Sequence, residues 1–97
     1  METKIIVINK DIAFVKELKH SLEQEDYSVE TAYTIKEAVG KIKNDGFELV
    51  ILDLILPDGN GLSLCRTIRK HSQVPIIIVS EKKEDSSKIR FYNFWCW

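Results

Sequence analysis

Three short, uninterrupted apolar runs constrain this chain most: Ile5–Ile8, Leu49–Leu52 and Ile76–Val79. Runs this short and this rich in Ile and Val read as strands buried on both faces. Strands of that kind belong to a parallel sheet with helices on either side. A fourth segment, Tyr27–Tyr33, alternates instead. Tyr27, Val29, Thr31 and Tyr33 take one face, and Ser28, Glu30 and Ala32 the other, which suits a strand at a sheet edge.

Helical periodicity fills the gaps between these runs. Phe14, Val15, Leu18 and Leu22 share one face of a helix from about residue 12 to 25. Thr34-Ile35-Lys36-Glu37 is a capping box for the next helix. Its apolar face is Ile35, Ala38, Val39 and Ile42, and Asn44-Asp45-Gly46 closes it. Leu62, Leu64, Cys65 and Ile68 mark a third helix, and a weaker pattern starts near Asp85. The order is β-α-β-α-β-α-β-α, which predicts an α/β fold. Right-handed crossovers make it a doubly wound, flavodoxin-like parallel sheet of order 2-1-3-4.

At 97 residues the chain suits one small domain. A net charge of −1 gives no basic footprint for nucleic acid. No apolar stretch approaches the length of a membrane span, and the N-terminus lacks the apolar core of a secretion signal. A cytoplasmic location is the expectation. Cys65 and Cys96 have neither metal-ligand nor disulfide-framework spacing, so both read as reduced structural thiols.

Ligands of an open parallel sheet bind beyond the carboxyl ends of its strands. The residues ending each buried run are therefore the informative ones. The first run ends in Asn9-Lys10-Asp11, the second in Asp53, the third in Ser80-Glu81. Order 2-1-3-4 brings the three ends together, joining a carboxylate, an ammonium, an amide and a hydroxyl in one shallow site. A carboxylate at such a rim is a nucleophile toward phosphorus or a ligand for a hard cation. Pro57-Asp58-Gly59 supplies a rigid turn after it. Gly61 permits tight backbone before the third helix. The carbonyl of Ile55 can face a metal held by Asp53.

The segment Leu49–Gly61, LVILDLILPDGNG, resembles the acceptor segment of response-regulator receiver domains. LSLCRTIR, residues 62–69, continues the likeness into the helix, and VPIIIVS, residues 74–80, is similar to the family's fourth strand. Lys4–Ile8 looks like its first strand. The resemblance runs without gaps from about Lys4 to Arg90. It implies a non-enzymatic signalling module whose Asp53 accepts a phosphoryl group from a histidine kinase. It further implies that Ser80 hydrogen-bonds that group and that Mg²⁺ is held by Asp53 and the Ile55 carbonyl. The alternative is a pseudo-receiver that binds proteins without phosphorylation. A flavin-binding domain of the same topology would need a hydroxyl-rich loop after the first strand, and Asn9-Lys10-Asp11-Ile12-Ala13 is not one.

The chain departs from the family pattern in three places. Where receivers carry two acidic residues after the first strand, it has Asn9 and Lys10. Asn9 still offers a metal its side-chain oxygen. Asp11 is either a further ligand or the N-cap of the first helix. Lys10 is either a solvated loop lysine or a cation standing near Asp53 in place of the metal. Weak Mg²⁺ binding is the expectation, because ligand charge tunes affinity for hard cations. Glu81 takes the place of a small residue. Finally, residues 91–97 form an atypical aromatic tail after a receiver-like domain at 1–90, holding five of the nine aromatic residues. Set against the family pattern, the chain is expected to lack the usual fifth strand, with its lysine, and the fifth helix. The exposed fourth strand then predicts association, a homo-dimer through that edge or the tail, or coverage of the edge by the tail.

Overall fold

Strand formation follows the apolar runs. In the computed structural model, which describes residues 3–83 and 89–95 with side chains through Val79, β1 is Lys4–Ile8, β2 Ser28–Ala32 and β3 Leu49–Asp53. Two short strands follow, β4 (Ile55–Leu56) and β5 (Gly59–Asn60), and then β6 (Ile76–Lys83) and β7 (Ile89–Trp95). The helices are α1 (Ile12–Gln24), α2 (Ile35–Asn44) and α3 (Gly61–Arg69). The main sheet has the order β2-β1-β3-β6-β7, and the β2-β1-β3-β6 part is parallel. This is the doubly wound, flavodoxin-like arrangement expected from the alternation of elements.

The two faces of the sheet are covered unequally. Ile6, Ile8, Val50, Leu52, Ile76 and Ile78 point to one face and pack under α2 and α3, through Ala38, Leu64, Cys65 and Ile68. Ile5, Val7 and Val29 point to the other and pack under Val15, Leu18 and Leu22 of α1. Beyond α1 on that second face, Leu49, Ile51, Ile77 and Val79 are only half-buried. Tyr33 joins the α1 face and Ala32 the opposite one, as the alternation predicts. Cys65 is not a free thiol here, against the reading of two reduced cysteines; Cys96 lies outside the described residues.

Each helix start is secured by a side chain. Asp11 caps α1 by accepting from the Phe14 N–H at 3.1 Å, and Asn60 caps α3 by accepting from the Leu62 N–H at 2.7 Å. Thr34 Oγ1 accepts from the Glu37 N–H at 3.1 Å, and Glu37 Oε1 accepts in turn from the Tyr33 N–H. The capping box therefore forms, with its return bond one residue earlier than the usual partner.

The C-terminal part departs from the helical pattern near Asp85. Residues 84–88 lie outside the described residues, and Ile89–Trp95 is a strand antiparallel to β6, in register from Ile77↔Trp95 to Lys83↔Ile89. The segment IRFYNFW is dense in aromatic and β-branched residues, which favour extended backbone. Pairing gives partners to the N–H and C=O groups that the edge of β6 would otherwise leave open. The same pairing lengthens β6 to Lys83, so Ser80 and Glu81 lie within a strand, opposite Tyr92 and Phe91, and not at its end. The sheet's fifth place is thus filled by an antiparallel strand.

Candidate functional site

Register places the site. Ile8 pairs with Leu52, and Asp53 pairs with Val79. The residues just past Ile8 and just past Val79 therefore flank Asp53 at the carboxyl edge of the sheet. Asn9 is buried here, and its backbone N–H donates to the Ala32 carbonyl at 3.1 Å. Asp53 is 4% exposed. The backbone of Ser80 follows directly on Val79; its side chain and that of Glu81 lie outside the described residues.

The loop after Asp53 is built by turn chemistry. Ile55–Leu56 and Gly59–Asn60 form a small antiparallel hairpin around Pro57-Asp58. Proline fixes φ at the turn's first central position. Gly61 closes the loop against β3, and its N–H donates to the Leu54 carbonyl at 2.7 Å. A Cβ at Gly61 would overlap the Asp53 carbonyl oxygen and stand 3.1 Å from the carbonyl carbon. The backbone approach that positions Asp53 therefore requires glycine.

Lys10 reaches into this site. Its Nζ lies 3.1 Å from Asp53 Oδ2 and donates also to the Ile55 carbonyl at 3.4 Å. The lysine side chain is 45% exposed and the aspartate side chain 5%. Lysine can span this gap because its apolar stem lies along the protein while its ammonium keeps contact with water. The other aspartate oxygen, Oδ1, accepts from the Ile55 N–H at 3.4 Å. The solvated-loop reading of Lys10 therefore gives way to the paired one.

Mg²⁺ is what receiver domains generally bind at such a site, and the residues proposed as its ligands can be tested for fit. Asp53 Oδ2 and the Ile55 carbonyl both face the Lys10 ammonium. Asn9 Oδ1 accepts from the Asp11 N–H at 2.8 Å, and Asp11 Oδ1 caps α1. Among the described residues no three acidic, histidine or cysteine side chains gather as a metal cluster. These residues do not fit a divalent cation as they stand. Of the two readings of Asp11, the cap is the one realised.

Sequence reasoning missed one member of this neighbourhood. Asp58, at the tip of the β4–β5 hairpin, caps α2 from outside. Its Oδ1 accepts from the Ile35 N–H at 2.8 Å and its Oδ2 from the Lys36 N–H at 3.1 Å. The Ile35 bond first, and then that of Lys36, holds the Asp58 carboxyl below its ordinary value. Partners 22 and 23 residues apart leave no local pattern to find.

The family of response regulator receiver domains matches residues 5–94 of this chain. The chain belongs to that family. It is 34% identical over 87 residues to the response regulator ArlR of Staphylococcus saprophyticus, covering 90% of this chain and 40% of that protein. It is 33% identical over 92 residues to the transcriptional regulatory protein ResD of Bacillus subtilis, covering 95% of this chain and 38% of that one. The chain thus spans about two fifths of the length of these relatives. Among solved structures, a two-component response regulator from Clostridium difficile superposes with a TM-score of 0.82 at 38% identity, covering 89% of this chain and 71% of the other. The non-phosphorylated HemR receiver domain of Leptospira biflexa gives 0.78 at 35%, covering 88% and 69%. As a receiver domain the chain is a signalling domain, and receiver domains interact with histidine kinases. No helix among the described residues is long and apolar enough to cross a membrane.

Proposed function

We propose that this chain is the receiver module of a cytoplasmic two-component phosphorelay in which Asp53 accepts a phosphoryl group from a histidine kinase. The observation that carries this reading is the position of Asp53. It ends a buried parallel strand at the carboxyl edge of the sheet, next to a cation and beneath a hairpin that hugs the strand. In the transfer, an Asp53 carboxylate oxygen forms a bond to phosphorus as the P–N bond of the phosphohistidine breaks and the imidazole leaves. A positive charge fixed beside the acceptor stabilises the negative charge of the arriving group without reorganisation. Ser80 follows the phosphoryl group with its hydroxyl, and the acyl phosphate is later hydrolysed. For association, the outer edge of the sheet is now β7, and a homo-dimer would form through that strand.

The test uses an acyl phosphate such as acetyl phosphate as donor, with and without Mg²⁺, and intact-protein mass spectrometry. The expected result is a gain of one phosphoryl group, lost in Asp53→Asn. No gain under any condition sinks the phosphoacceptor reading and leaves a phosphorylation-independent protein-binding module. Light scattering across micromolar concentrations tests the dimer; a monomer throughout counts against it.

A further inference from the structure

The groups a divalent cation would need at Asp53 are present in this chain, and each already has a partner. The Lys10 ammonium sits 3.1 Å from Asp53 Oδ2 and 3.4 Å from the Ile55 carbonyl oxygen. These are the two oxygens that should face a metal. Asn9 Oδ1 is held by the Asp11 N–H, and Asp11 holds the first turn of α1. Charge points the same way. Among the described residues, one carboxylate and one ammonium sum to zero at the site, whereas hard-cation sites are built on an excess of anionic oxygen. A cation entering here would have to displace the ammonium and then share the site with its charge.

We infer that Lys10 is the built-in counter-ion of the acceptor and that the Asp53 site does not take a divalent cation. The ammonium neutralises the acceptor carboxylate at rest. When a phosphoryl group occupies Asp53, the same ammonium is within reach of the added oxygens, because its stem is flexible and its head is partly solvated. The inference rests on receiver membership for its starting point, that a cation is expected at Asp53. It does not depend on Asp53 being phosphorylated.

The test reads cation binding and not phosphoryl transfer, so the two readings fail separately. Amide NMR spectra of the ¹⁵N-labelled full chain are followed through Mg²⁺ and Mn²⁺ titrations. In the wild type, the amides of residues 9–11 and 53–55 are expected neither to shift saturably with Mg²⁺ nor to broaden selectively with Mn²⁺. Lys10→Asp, which returns an acid to the site, is expected to bind at least about tenfold more tightly. Lys10→Met, which removes the ammonium without adding charge, is expected to fall between the two and also serves should Lys10→Asp fail to fold. Saturable wild-type binding at these amides overturns the inference. So does an absence of binding in every variant that folds, since Lys10 would then not be what bars the cation.

Discussion

The Lys10 ammonium and the Asp53 carboxylate meet at 3.1 Å although they stand 43 residues apart in sequence. The contact joins the loop after β1 to the end of β3, and it leaves one partner half in water and the other buried. Its net strength should lie between that of a surface pair and that of a buried one. A double-mutant cycle with Lys10→Ala and Asp53→Asn, read by urea unfolding, is expected to give a coupling of about 0.5–2 kcal/mol. Additive single effects would show that the pair contributes nothing to stability.

Gly61 and Gly40 make a matched pair of opposite predictions. Gly61→Ala drives a methyl into the Asp53 carbonyl, and backbone on both sides cannot yield cheaply. A loss of about 2–4 kcal/mol is expected. Gly40 lies inside α2 with nothing within 4 Å of an added Cβ. Gly40→Ala should therefore gain about 0.5–1 kcal/mol through helix propensity alone. Denaturant midpoints at unchanged slope check both.

Asp58 ties the β4–β5 hairpin to the start of α2 in a pH-dependent way. Its carboxyl is held below the ordinary value of 3.8 in the folded state. A depressed carboxylate contributes stability that is fully present above its unfolded value and is lost as pH falls through the folded one. Asp58→Ala is therefore expected to be less stable than wild type at neutral pH, with the gap closing below about pH 3.8. A gap that stays constant down to pH 2 would show that the carboxylate's charge plays no part.

Removing residues 89–97 tests the role of the tail. The deletion takes away β7 and leaves β6 as an apolar edge strand. Such edges pair with other chains. The shortened chain is expected to form larger assemblies than the full chain at equal concentration, as read by light scattering; equal behaviour would mean that β7 is not what covers the edge of β6.

The core is legible from sequence and offers a stability check on it. Leu52 is fully buried between α2, α3 and the neighbouring strands. Leu52→Ala is expected to cost about 2–5 kcal/mol, measured by thermal or urea unfolding.

The sequence by itself determined the parallel sheet, its order and the place of Asp53. Uninterrupted Ile/Val runs can be buried only with both faces covered, and a polar residue ending such a run must emerge at the sheet's rim. The Thr34 start of α2 and the tight backbone at Gly61 are equally local. Only the tertiary structure decided what Asp53 touches. Whether Lys10 points to water or to the carboxylate depends on where β1 ends relative to β3, and no spacing in the chain encodes that. Asp58 meets α2 for the same kind of reason, through a hairpin that brings together residues 22 apart in sequence. The tail followed a third course. Its aromatic residues favour strand, but an isolated strand gains little. The open edge of β6, which exists only once the sheet has formed, is what made that preference count.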